Sequence, residues 1–422
     1  MTDRGRIGRR MKRLVDSIEP GARVFVSTLS TESALLRAEL HADPERARDV
    51  TFIGVQFPGI DTIDYLAVHP QARMSAYFMS PAVRAGLAEG RAELPSLDYP
   101  GIVRHLRDSL PVDLAIAQLT PPDAEGWCSP GLASDFMPLV WTRARRRVAH
   151  FNPRLPRTRG SFRVHVSELD GGIEADLPLT GFVEPAGSEV ETRIGAHVSA
   201  LVRDGDTLQF GIGSVPAALA GALASHRRLR IHGGLISGAL RTLWESGALD
   251  PDARISTGVV LGDSAFGDFC ARLEPLWLTD TAHTHDVATI AAIPRFIAIN
   301  AAVEVDLFGQ VNSERAGGVI QAGAGGLPAF ASGALGSPGG RLLICLGATA
   351  KKGTLSRIVP ALDAQALCTL PRYLADAVVT EHGVAELRKL SLDSRAQALI
   401  AIAAPEHRNS LELAWSDLRR RA

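Results

Sequence analysis

Leu229-Arg230-Ile231-His232-Gly233-Gly234-Leu235-Ile236-Ser237-Gly238-Ala239 is the stretch from which the architecture is read. An apolar run breaks at His232-Gly233-Gly234 and resumes through Leu240, Leu243 and Leu249 at near-helical spacing, the pattern of a strand, a tight turn and a helix. In open α/β sheets a turn at the carboxyl end of a strand is where ligands sit. Just upstream, Asp206-Thr207-Leu208-Gln209-Phe210 reads as a strand, Gly211-Ile212-Gly213-Ser214-Val215-Pro216 as a loop and Ala217 to Ala224 as a helix, so residues 204–235 form a β, loop, α, β unit. The same plan occurs at 21–55. There Arg23-Val24-Phe25-Val26 is a strand, Thr31 an N-cap, Ser33 to Leu40 a helix and Val50 to Val55 the next strand. Two matching units about half a chain apart predict an α/β protein of two tandem, structurally similar domains with mostly parallel sheets. Pro178, Pro185, Ala186 and Gly187, ahead of the helical run Val190 to Val202, make a breaker-rich boundary. The expected domains are therefore 1–188 and 189–422.

Working outward, Val112 to Leu119, apolar except at Asp113 and Gln118, reads as a strand buried on both faces. Phe296-Ile297-Ala298-Ile299-Asn300 and Leu342 to Leu346 read as strands of the second half, Val303 to Leu307 alternates, and Ala377 to Gly383 with Ser391 to Ala403 closes the chain as strand, turn and helix. The chain has 422 residues, 46% of them apolar, enough for ample core. A formal net charge of -1 supplies no global field for nucleic acid. Seven arginines between Arg143 and Arg159 read as a solvated helix face and a charged connector, with a phosphate-binding patch and then nucleic acid as the alternatives. Cys128, Cys270, Cys345 and Cys368 lack CxxC spacing and suit reduced thiols in the cytoplasm. The arginine-rich first residues are expected to form a basic helix; no apolar h-region follows them, against a secretory signal. The most apolar window, Gly317 to Gly336, is broken by Gln321, Pro328 and glycines, against a membrane span.

Gly211 to Pro216 resembles a glycine-rich phosphate turn, where backbone N–H groups and a helix N-terminus favour negative charge. A dinucleotide fold needs a third glycine and an acidic residue about twenty positions on. Pro216 and His232-Gly233 stand there instead, leaving another phosphate ligand or a structural turn. His283 and His285 form an HxH pair without a third ligand at readable spacing, so no metal is expected. No GxSxG elbow appears. Lys351 and Lys352, between a strand and a helix expected from Thr354, are placed to reach a phosphate or to be solvated. Gly309-Gln310-Val311-Asn312 and Gly323 to Gly326 offer amide donors and bare backbone, through which a ligand or a tight turn comes close.

Taken in order, these segments resemble the acetyl-CoA hydrolase/transferase family, which includes 4-hydroxybutyrate CoA-transferase among the family I CoA-transferases. The resemblance is carried by Tyr77-Phe78-Met79-Ser80-Pro81, Thr120-Pro121-Pro122-Asp123, Glu125-Gly126-Trp127-Cys128-Ser129 and Gly211 to Pro216. It continues through Glu304-Val305-Asp306-Leu307, Gly309-Gln310-Val311, Ser356-Arg357-Ile358-Val359-Pro360 and Thr380-Glu381-His382-Gly383. It implies two similar α/β domains and a CoA thioester bound chiefly by the second. Carried over by position, Gly211, Ile212, Gly213, Ser214 and Val215 match the CoA-binding turn. Gln310 and Asn312 fall in the Gly-Gln-Val segment, Gly325 and Gly326 match a glycine pair near the CoA thiol, and Lys351 or Lys352 matches a phosphate-contacting lysine.

The family's chemistry rests on a glutamate in a His-Ser/Thr-Glu-Met turn, whose carboxylate attacks the acyl-CoA and becomes a glutamyl-CoA thioester. Here that turn is His232-Gly233-Gly234-Leu235, so Gly234 stands at the glutamate position. Gly238 stands where the family has an Asp, and Leu327-Pro328-Ala329 replaces a Gln-Val-Asp run. The resemblance thus implies an enzyme on an acyl-CoA and a small carboxylic acid, a hydrolase or transferase that does not use the glutamyl thioester. His232, Glu304 and Glu314 are the candidate bases, each with a structural alternative. Coenzyme A, as acyl-CoA substrate, is the one cofactor expected, with no metal, nucleic acid or membrane. A homo-oligomer is expected. Two further readings are an inactive CoA-binding protein or a hetro-oligomer subunit completed by a catalytic partner chain, and a transferase using a displaced carboxylate such as Glu245.

Overall fold

Seven parallel strands build the sheet of the first unit: β1 (Arg23–Val26), β2 (Thr51–Gly54), β3 (Arg73–Ala76), β4 (Ala92–Glu93), β5 (Leu114–Leu119), β6 (Arg146–Phe151) and β7 (Gly171–Glu174), in the order β4-β3-β2-β1-β5-β6-β7. This computed structural model describes residues 11–185 and 187–421; most of the expected basic first helix lies outside them. Successive side chains of a strand point to opposite faces. Val24, Val26, Leu114 and Ile116 accordingly enter one core, while Phe25, Ala115, Ala117 and Leu119 enter another. A sheet covered on both faces is why Leu114 to Leu119 is apolar at every position but Gln118. Helix α1 (Ala34–Ala42) crosses from β1 towards β2, capped by Ser33, whose hydroxyl accepts from Leu36 N–H; Thr31, the expected cap, ends a preceding 3-10 turn.

The second unit's sheet has β8 (Thr207–Phe210), β9 (Arg230–Ile231), β10 (Phe296–Ala301), β11 (Arg341–Cys345), β12 (Ala377–Thr380) and β13 (Gly383–Glu386), in the order β9-β8-β10-β11-β12-β13, all parallel except the β12-β13 hairpin. Around it lie α2 (Glu189–Ser199), α3 (Ser214–Ala222), α4 (Gly238–Glu245), α5 (Leu327–Gly336), α6 (Leu392–Ile402) and α7 (Pro405–Arg419). Phe296, Ala298, Leu342, Ile344 and Val378 pack in one core with Phe330 and Ala334 of α5, Leu399 of α6 and Trp415 of α7. Asp376 pairs with Arg388 at 2.5 Å and also accepts from Leu342 N–H. Ser391 caps α6 by accepting from Ser394 N–H. Ser391→Ala is expected to lower stability by about 1 kcal/mol, measured by urea unfolding.

The chain does not divide with a single cut. The first unit comprises the residues up to Val183 together with Arg254–Thr284; the second comprises Glu184–Ala253 and the chain from His285 onward. Residues 254–284 belong to the first unit because their strand Leu276–Leu278 bonds its backbone: Leu278 N–H reaches Arg159 O, and Ser161 N–H reaches Leu278 O, each at 2.9 Å. Six of the seven clustered arginines are engaged within the first unit. Arg145, Arg146, Arg154 and Arg157 pair with Asp113, Glu19, Asp176 and Asp123, while Arg143 and Arg147 donate to backbone carbonyls. The charged connector fits these bonds; the expected helix face does not, because Arg146 and Arg147 lie on β6, which pairs within the sheet. Among the described residues, no helix is long and apolar enough to cross a membrane.

Candidate active site in the second unit

The carboxyl ends of β8 and β9 carry the two turns singled out in the sequence. After β8, Gly211 and Gly213 lie where an added Cβ would meet nothing within 4 Å, and Gly213 holds φ +117°. This bare, open backbone leads into the N-terminus of α3, where N–H groups without helical partners favour an anion. The helix begins at Ser214 and so takes Pro216 into its first turn, three residues earlier than the expected Ala217.

After β9, the chain turns through His232, Gly233 and Gly234. Gly233 rests against Gln209, its added Cβ 3.4 Å from Gln209 Cγ, and Gln209 exchanges amide hydrogen bonds with Asn300 of β10. His232 is 5% exposed, continues the strand pairing through its N–H to Leu208 O, and sets its ring edge-on to Phe296 at 6.0 Å. That is a core histidine, poorly placed to meet water.

His285 decides the geometry at residue 234. A Cβ on Gly234 would lie 2.5 Å from His285 Cε1 and 2.9 Å from Nε2; one on Gly326 would lie 2.6 Å from Cδ2. The imidazole therefore occupies the space that side chains at either glycine would enter. It is 4% exposed, and Phe330 lies 4.6 Å away between ring centroids. Burial, reinforced by nearby His232, depresses its pKa to about 3, so the ring is neutral at physiological pH. The HxH spacing reads His285 as an ordinary strand or loop histidine, with a metal role as the lesser alternative. His283 belongs to the first unit and His285 to the second, and among the described residues no group of three or more His, Cys, Asp or Glu is placed to hold a metal ion.

The other sequence-predicted residues are distributed around the second unit. Gln310 donates to Asp306 through both its side-chain and backbone N–H groups, at 2.7 and 2.8 Å. Asn312 is fully buried, donating to Glu304 and Arg315 O and accepting from the N–H groups of Glu314 and Arg315. These amides brace the segment, and their side chains are committed to it. Glu304 accepts from Asn312, and Glu314 accepts from Thr369. Gly325 has φ +60°. Lys351 and Lys352 do not precede a helix. They form the exposed tip of a hairpin between Thr349–Ala350 and Leu355–Ser356, with φ +49° and +57°, because Gly353 (φ +90°) turns the chain back. Glu245 ends α4, seven residues beyond Gly238, about 10 Å along the helix axis.

One carboxylate was not legible in the sequence. Glu184 accepts a hydrogen bond from Ser237 Oγ at 2.5 Å, and its Oε2 lies 3.2 Å from where a Cβ on Gly238 would stand. Its sequence surroundings, between Val183 and Pro185, carry no motif.

Residues 262–414 match the model of the acetyl-CoA hydrolase/transferase C-terminal domain. The 4-hydroxybutyrate coenzyme A transferase of Clostridium kluyveri is 36% identical over 348 residues, covering 80% of this chain and 81% of that protein. The succinyl-CoA:cyclohexane-1-carboxylate CoA transferase of Geobacter metallireducens is 35% identical, covering 81% and 80%. The crystal structure of RipA from Yersinia pestis superposes with a TM-score of 0.87 at 26% identity, over 96% of each chain. With a largely parallel α/β fold, an open glycine turn at a helix N-terminus and this extent of identity to CoA transferases, the chain belongs to the acetyl-CoA hydrolase/transferase family, enzymes of acyl-CoA transfer.

Proposed function

We propose that the protein cleaves the thioester of an acyl-CoA, with water or a small carboxylic acid accepting the acyl or CoA group, and that residue 234 supplies no nucleophile. The observation that carries this reading is the position of His285, which fills the space a side chain at 234 would need. A water molecule activated by another base is the simplest chemistry compatible with a glycine there. The CoA portion is assigned to the second unit. Its pyrophosphate meets the open Gly211 to Val215 turn, the exposed Lys351 and Lys352 lie within the same unit, and the thiol end passes Gly325, since His285 closes the side-chain space of Gly326. Gln310 and Asn312 serve this site by bracing its backbone.

Incubating the purified protein with acetyl-, butyryl- and succinyl-CoA, while following free CoA and intact mass, tests the proposal. Free CoA without a covalent adduct is expected. A CoA adduct on the chain would overturn the hydrolytic route. A second reading, a CoA-binding protein completed by a partner chain, is favoured by the same buried imidazole; it predicts CoA binding with no release of CoA from any of the three.

A further inference from the structure

Ser237 stands at the N-cap of α4 and makes no side-chain cap to that helix. An N-cap serine ordinarily accepts from a first-turn N–H. Here the buried hydroxyl instead donates to Glu184 Oε1 at 2.5 Å, a length typical of an O–H to carboxylate bond. The second oxygen, Oε2, lies 3.2 Å from the Cβ position of Gly238. Gly238 is exposed and Glu184 half-buried, so the carboxylate borders solvent. It also lies beside the N-terminus of α4, where negative charge is favoured.

We infer that Glu184 is the general base of this site, activating the water that attacks the acyl-CoA thioester. The inference rests on the hydrolytic reading above and names its base. The alternatives are placed less well: His232 and His285 are buried, Glu304 and Glu314 belong to the segment braced by Asn312 and Thr369, and Glu245 lies at the other end of α4, whereas Glu184 stands at the start of the helix that follows the Gly234 turn. In the step, water oxygen bonds to the thioester carbonyl carbon while one water proton passes to a Glu184 carboxylate oxygen. The tetrahedral intermediate collapses with cleavage of the carbon–sulfur bond. The CoA thiolate leaves and takes the proton from Glu184, giving a carboxylic acid, CoA thiol and the regenerated carboxylate. Ser237 is a positioning residue that orients the base.

The test compares wild type, Glu184→Gln, Ser237→Ala and Glu245→Gln with the acyl-CoA that the wild type turns over fastest. Thermal melts and CoA affinity by calorimetry serve as controls. Glu184→Gln is expected to lower kcat at least 100-fold, with CoA affinity and melting temperature unchanged. Ser237→Ala is expected to lower kcat with KM retained, and Glu245→Gln to leave both unaltered. Retention of kcat within threefold by Glu184→Gln would overturn the assignment while leaving the hydrolytic reading standing. A wild type that binds CoA but releases none from any acyl-CoA would overturn both.

Discussion

Gly234→Glu alone destabilises the protein and restores no nucleophile. Its Cβ would be placed 2.5 Å from His285 Cε1, closer than real Cβ contacts occur. The imidazole has little room to retreat, since the Cβ position of Gly326 and the ring of Phe330 lie beside it. Overpacking of this kind costs about 1–3 kcal/mol, and the glutamate then has to leave its productive direction. Removing the ring by His285→Ala opens a cavity of its own, so neither single variant should be as stable as wild type. The double variant Gly234→Glu/His285→Ala relieves the overlap, and its unfolding free energy is expected to exceed the additive value by about 1–3 kcal/mol. Urea unfolding of the four proteins measures that coupling. Additivity would show that the imidazole and residue 234 do not compete for space.

The pH dependence of stability should carry two limbs of opposite sign. Burial holds the proton on Asp135 up to about pH 7, from an ordinary value of 3.8, although Thr281 Oγ and Phe136 N–H donate to it. Asp61 is likewise raised to about 7, by burial and then by the nearby Glu32 charge, although Leu29 and Phe57 N–H groups donate to it. Between these values the folded state binds protons that the unfolded state has lost, so stability is present at low pH and falls as pH rises from 3.8 to about 7. Asp135 is partly exposed, which reduces the effect at pH 8 to about 2–3 kcal/mol from the roughly 4 that the full displacement implies. Asp135→Asn, which keeps an acceptor for Thr281, should therefore raise stability at pH 8 by about that amount and leave it nearly unchanged at pH 4.

His285 has the opposite sign. Its folded pKa, about 3, lies below its ordinary 6.5, so its contribution is intact above 6.5 and lost as pH falls towards 3. Difference curves of unfolding free energy against pH, wild type minus Asp135→Asn and wild type minus His285→Gln, should slope in opposite directions. A flat Asp135 curve would show that its carboxyl keeps its ordinary pKa in the folded state.

The strands were legible where a periodicity had one cause. Leu114 to Leu119 is apolar but for Gln118 because β5 is covered on both faces, and the two β, loop, α, β units at 21–55 and 204–235 appear as sheet and helix where expected. Element ends were less legible because caps depend on local bonds: Ser33 takes the N–H of Leu36 in place of Thr31, and Gly353 turns Lys351 and Lys352 into a hairpin where a helix was expected. The candidate bases fared unevenly for a similar reason. His232, Glu304 and Glu314 have suitable side chains, and the fold gives them to the core, to Asn312 and to Thr369.

By itself the sequence determined the α/β class, the mostly parallel sheets, the CoA-transferase resemblance and the glycine at position 234, since each is written in local pattern and order. Only the tertiary structure decided what stands around that glycine. His285, 51 residues further along the chain, fills its side-chain space, and Glu184, 50 residues before it, brings a carboxylate to Ser237 and Gly238 at the start of the following helix. Contacts across such separations leave no period or motif in the chain; they exist only once β8, β9 and β10 have paired and brought their carboxyl ends together.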